Sequence, residues 1–237
     1  MKAEDIKVEL DKHANAGAAA HAQRFFKTGE QQYGAGDKFI GLRVPTIRAV
    51  CKQFKDLPLA EIEKLLEDPI HERRLAALII MTNQAKRATE TEKKELYQLY
   101  LRRTDRINNW DLVDISCRDV IGGYLMDKPR QPLYKLARSA DIWERRIAIV
   151  STWQFIREKQ LDDTFAIAEI QLNDTHDLIH KAIGWMLREA GKRNRAALLE
   201  FLDKHAHEMP RTALRYSIEH LSPDQRQHYM QLRTKVK

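Results

Sequence analysis

The chain has 237 residues, of which 43% are hydrophobic and 32% charged, so it reads as folded rather than disordered and has ample length for a core. Lys and Arg number 41 against 34 Asp and Glu, a net +7 that suits a polyanionic partner, nucleic acid before an anionic membrane, or simply a mildly basic protein. Two cysteines without CxxC spacing, Cys51 and Cys117, exclude a disulfide framework and a cysteine zinc site and point to a reducing compartment.

The first stretch, MKAEDIKVELDKHANAGAAAHAQRFF, lacks the apolar core and cleavage pattern of a signal peptide, and no later apolar run approaches the ~20 residues of a membrane span. A cytoplasmic protein is expected. Next, YGAGDKFIGLRVP (33–45) has glycines at 34, 36 and 41 but no Gly-Lys-Ser/Thr ending and no preceding strand, so it is not a phosphate-cradling loop. It reads as a connection between two early helices, with Pro45 in the first turn of the second. Arg43 is a candidate phosphate contact there, a solvated arginine being the plainer reading.

Apolar residues then recur at helical spacing in LAEIEKLLED (59–68), RRLAALIIMTNQA (73–85), ETEKKELYQLYLRR (90–103) and AALLEFLDKHA (196–206). The few glycines and prolines fall mostly between such stretches, and no run alternates as a strand would. The expected fold class is all-α.

The chain also repeats. ERRLAALI (72–79) and ERRIAIVS (144–151) are close copies 72 residues apart, and Trp110 of NWDLVDIS lies midway between their second arginines. Arg74, Trp110, Arg146, Lys181 and Arg215 fall in one column, and Leu78, Asp114, Val150, Trp185 and Glu219 in another four residues on. This periodicity is that of HEAT-like helix pairs, about 35 residues each, stacked because no pair buries its apolar face alone. The expectation is therefore a single HEAT-like repeat domain over residues 1–237, a solenoid of antiparallel pairs with a concave basic cleft. If the second helix of each pair lines the cleft, Trp110, Asp114, Arg146, Lys181 and Trp185 converge there. Cations at such positions often act as ties between neighbouring helices, and that reading is favoured for Arg74 and Arg215. Two indoles and an isolated acid serve a core poorly, so a functional role is favoured for Trp110, Asp114, Arg146 and Trp185.

INNWDLVDIS (107–116) sharpens that choice. On a helix Trp110 and Asp114 share a face and Asp111 points elsewhere. The nine histidines are scattered without HExxH, no serine sits in GxSxG, and neither cysteine has a partner motif. No metal and no cofactor are called for.

Five segments together, FIGLRVPTIR (39–48), WDLVD (110–114), WERRIAIVS (143–151), AIGWMLRE (182–189) and MPRTALRYSIEHL (209–221), resemble the AlkD-like alkylpurine DNA glycosylases, a family of HEAT-like repeat proteins. The resemblance spans nearly the whole chain and rests on the order and spacing of motifs that are individually weak. It implies excision of cationic N3- and N7-alkylated purines from double-stranded DNA by a monomeric enzyme that needs no membrane. It places the cleft residues at Trp110, Asp114, Arg146 and Trp185, with Arg188 as a further DNA contact. GEQQYGAGDK (29–38) departs from the pattern, so no catalytic role passes to Gln32 or Tyr33. Some similar proteins lack the acid and bind DNA without excision, whereas this chain has Asp114.

The chemistry fits one carboxylate. A cationic purine leaves as a neutral base, so no acid is needed to protonate it, unlike ordinary glycoside hydrolysis. Asp114, expected to be ionised, faces the developing oxocarbenium charge and positions water. Trp110 and Trp185 offer electron-rich faces to sugar and lesion, while Arg146, Arg188 and Lys181 neutralise phosphates. The competing readings are a silent DNA-structure binder and a protein-interaction scaffold.

Overall fold

The computed structural model describes residues 1–232, and among these it is helical with no strand, apart from one isolated bridge between Lys38 and Ile70. The chain packs as two compact units, residues 1–124 and 125–237. No helix among the described residues is long and apolar enough to cross a membrane.

The first unit contains α1 (Ala3–Asp11), α2 (Ala16–Phe25), α3 (Val44–Gln53), α4 (Leu59–Leu66), α5 (His71–Ala85), α6 (Glu90–Arg102) and α7 (Trp110–Cys117). Pro45 lies in the first turn of α3, where its missing N–H costs nothing. Helix α5 is the hub, packed against α3, α4, α6 and α7. It is apolar on nearly every side, from Leu75 through Met81, as a helix enclosed by others must be. Its first turn is different: His71, Glu72 and Arg74 are polar and yet buried. Burying such groups is costly unless they are paired, and this shapes the site described below.

Helix α7 does not end at Cys117. Residues 118–122 continue it as a π turn, in which the Gly123 N–H reaches the Arg118 carbonyl, five residues back. Such single π turns are uncommon inside helices and recur near functional sites.

The second unit holds α8 (Gln131–Leu136), α9 (Ile142–Ser151), α10 (Trp153–Arg157), α11 (Asp162–Ile170), α12 (Asp177–Arg193), α13 (Arg195–His205), α14 (Arg211–Ser217) and α15 (Pro223–Gln231). Here α12 is the hub, touching α9, α10, α11, α13 and α14. The closest approach is at Gly184: a Cβ there would stand 2.5 Å from the Ala213 carbonyl oxygen and from Tyr216 Cβ. Glycine is thus required for α14 to lie directly on α12, one residue before Trp185.

The repeat column is not uniform in helical position. Arg74, Arg146, Lys181 and Arg215 lie about one turn inside their helices, whereas Trp110 is the first residue of α7. Asn109 supplies the reason, because it is fully buried and its side chain accepts the Trp110 N–H at 2.9 Å, starting the helix there.

Candidate active site and nucleic-acid contacts

Trp110 and Asp114 occupy successive turns of α7, and both side chains are half-buried. The residues between them explain the orientation. Leu112 and Val113 are fully buried and dock α7 on the core, which leaves Trp110 and Asp114 together on a partly open face. The indole is backed by the C-terminal end of α2: Phe26 stacks on it with centroids 5.5 Å apart, and Phe25 meets it edge-on at 6.0 Å. Each such contact stabilises by roughly 0.5–1.5 kcal/mol beyond area burial. Phe26 also stacks on Phe39 at 5.1 Å, and Phe39 on the His71 ring at 4.6 Å. Phe25 remains 57% exposed. An aromatic of that exposure beside Trp110 belongs to the candidate site, and the sequence reading passed over it.

Behind the aromatics lies a buried ionic cluster. His71 is 1% exposed; its Nδ1 is 3.0 Å from Asp37 Oδ2 and its Nε2 2.8 Å from Asp111 Oδ2. Burial alone opposes charge on the ring, but Asp111, by charge and hydrogen bond, and Asp37 outweigh it and raise the imidazole to about 9. Arg74, 2% exposed, donates to Asp37 Oδ1 at 2.5 Å, to the Asp68 carbonyl at 3.0 Å and to Asn108 Oδ1 at 3.1 Å. Burial would raise the Asp37 carboxyl, yet the His71 hydrogen bond and the Arg74 and His71 charges bring it below the usual range. Arg74 is the structural tie the sequence suggested. His71 and Asp37 were missed, since their partners lie 34 to 40 residues away along the chain. Asp111 does point away from Asp114, and its destination is His71.

Glu72 completes this side. Its carboxylate, in a residue 3% exposed, accepts the backbone N–H groups of Ile40, Gly41 and Leu42, the Gly41 bond being 2.8 Å. Gly41 sits at φ +82°, and a Cβ on it would fall 2.1 Å from the Asn15 carbonyl oxygen. Only glycine lets the loop present three consecutive donors so close to α2.

Arg43 is exposed at the start of α3 and lines a groove of about 810 Å³ with His13, His21, Phe25 and Thr46. In the second unit Arg146 is 5% exposed, and its Nη1 donates to the Leu178 carbonyl at 2.6 Å, in the first turn of α12. Part of its hydrogen-bonding capacity is therefore structural. Lys181, Trp185 and Arg188 follow along one face of α12. Lys181 pairs with Asp177 at 2.7 Å across one helical turn while its side chain stays 42% exposed. Trp185 is half-buried, edge-on to Trp153 at 5.1 Å. Arg188 pairs with Glu219, joining α12 to the residues after α14. Arg215 is exposed on α14.

A family model described as DNA alkylation repair enzyme matches residues 6–221. Among solved structures, a predicted DNA alkylation repair enzyme from Enterococcus faecalis is similar at 20% identity with a TM-score of 0.70, over 89% of this chain and 97% of that one. At that identity the likeness speaks for the fold alone. The search of curated proteins gives no match. The matched residues cover most of both units, with α7 of the first and α9 and α12 of the second among them, and the chain belongs to the DNA alkylation repair enzyme family.

Proposed function

We propose that the protein is a monofunctional DNA glycosylase that releases cationic N3- and N7-alkylated purines from double-stranded DNA. The observation that carries this reading is the half-buried pair Trp110 and Asp114 on successive turns of α7. Asp114 stabilises the oxocarbenium charge developing at the sugar and orients the water that attacks it. Trp110, backed by Phe26 and flanked by the exposed Phe25, offers a rigid aromatic surface to the deoxyribose and lesion. On the second unit Trp185 adds a further aromatic surface, and Arg146, Lys181 and Arg188 neutralise phosphates of the duplex, as Arg43 does on the first. None of these roles requires a cofactor. The leaving base takes its electrons from the breaking bond and departs neutral, so no protonating acid is needed.

The test is release of free 3-methyladenine and 7-methylguanine from methylated duplex DNA, beside duplexes carrying uracil or hypoxanthine. Asp114→Asn should slow release by roughly 10²–10⁴-fold, the range for a lost general base, while duplex affinity persists. Neutral lesions should stay in the DNA. Wild-type rates from the Asn protein, or efficient uracil release, would overturn the mechanism. Duplex binding without any base release would instead identify a DNA-structure binder.

A further inference from the structure

We propose that His71 is the positioning residue of the candidate site: an imidazolium held between Asp37 and Asp111, it fixes the first turn of α7 and with it Trp110 and Asp114. Its consequence for catalysis rests on the glycosylase reading; its consequence for the geometry of α7 does not.

The geometry requires the charge. A neutral imidazole has one N–H and one lone pair, so it can satisfy one carboxylate while turning a lone pair toward the other. Here both ring nitrogens lie within 3.0 Å of carboxylate oxygens. Both contacts are attractive only when both nitrogens carry protons. The charged groups around the ring are few: Asp37 from the loop before α3, Asp111 from α7, and Arg74 on its own helix, which faces Asp37. Phe26 and Phe39 lie against the ring at 5.0 and 4.6 Å between centroids.

Two routes lead from His71 to Trp110. The ionic one runs through Asp111, whose other oxygen accepts the Leu112 N–H at 2.9 Å. The carboxylate is thus fastened at both oxygens within the first turn of α7, at the residue next to Trp110. The aromatic route runs from the imidazole to Phe26, and from Phe26 to the indole. Both begin on the buried hub helix α5. A tie that served stability alone would not need to engage the residue adjoining Trp110 and its stacking partner together.

The test uses the full-length protein. In nitrogen-15 spectra the His71 imidazole should carry both protons at pH 7.5 and lose one near pH 9, and the Trp110 indole N–H signal should move with the same midpoint. A neutral His71 at pH 7.5, or an indole signal indifferent to its titration, overturns the proposal whether or not the protein excises bases. His71→Gln should lower base release by about 10²-fold, as small misplacements at a reacting centre do, with little change in duplex affinity. Asp111→Asn retains the shape and removes one charge, which should bring the alkaline limb of release down by about 1–3 pH units and restore release at pH 6. If the two variants merely melt earlier and keep wild-type release and pH profile, His71 is a stability element and the positioning role is wrong. If the wild type releases no base while both signals titrate together, the glycosylase reading fails and the positioning of α7 stands.

Discussion

The three residues Glu-Arg-Arg occur twice, at 72–74 in α5 and at 144–146 in α9, and the two copies are held differently. In α5 the glutamate is buried against three loop amides, the first arginine bridges Asp11 and Asp68, and the second is buried against Asp37, Asn108 and the Asp68 carbonyl. In α9 the first arginine reaches Asp174 at 2.6 Å and the carbonyls of Ser139 and Ala140, and the second reaches the Leu178 carbonyl. A repeat in the sequence therefore conserves where a side chain starts, not what it finds. Arg74 meets an acid from a loop of its own unit; Arg146 meets the opening turn of the next long helix.

Replacing the second arginine of each copy separates the two environments. Arg74→Ala should have the largest effect, because it leaves Asp37 buried beside a weakened set of donors. Breaking a buried pair in this way costs about 3–5 kcal/mol, to be read as a fall in the denaturant midpoint. Arg146→Ala should be milder in stability, about 1.5–3 kcal/mol for a charged donor to a carbonyl, and should also reduce the salt dependence of duplex binding by about one unit. Equal destabilisation of the two variants with an unchanged salt slope would collapse the comparison and remove Arg146 from the DNA contacts. The smallest effect on folding belongs to Lys181→Gln. Its exposed pair with Asp177 is of a kind worth about 0.3–0.5 kcal/mol, so the melting curve should barely move while the salt slope again falls by about one unit.

The helices were legible where burial is one-sided and repetitive. The stretches at 59–68, 73–85, 90–103 and 196–206 show apolar residues at helical spacing, and Leu59–Leu66, His71–Ala85, Glu90–Arg102 and Arg195–His205 are helices. The shared face of Trp110 and Asp114 was equally readable, since it depends on neighbours four residues apart. The cluster around His71 was not. A lone histidine among nine carries no mark of the two carboxylates that enclose it, because the fold brings them from loop and helix far along the chain. Phe25 was hidden for a related reason: its position next to Trp110 depends on how the end of α2 packs against α7, far along the chain. The three-way grip of Glu72 was also invisible, since a glutamate at a helix start ordinarily reads as a favourable charge near the helix dipole.

The π turn at residues 118–122 bears on how the chain tolerates a change in length. A helix whose N–H groups reach back five residues carries one residue more than an α-helical ladder needs. Loss of one residue there would let the ladder close in the ordinary way without disturbing Asn109 or the start of α7. Trp110 and Asp114 would keep their face. The rearrangement would fall on the downstream side, where Val120 and Ile121, now buried, mark the residues exposed to a rotation of about 100°. The extra residue thus lies at a seam: the chain can lengthen or shorten on one side of it while Trp110 and Asp114 upstream keep their register.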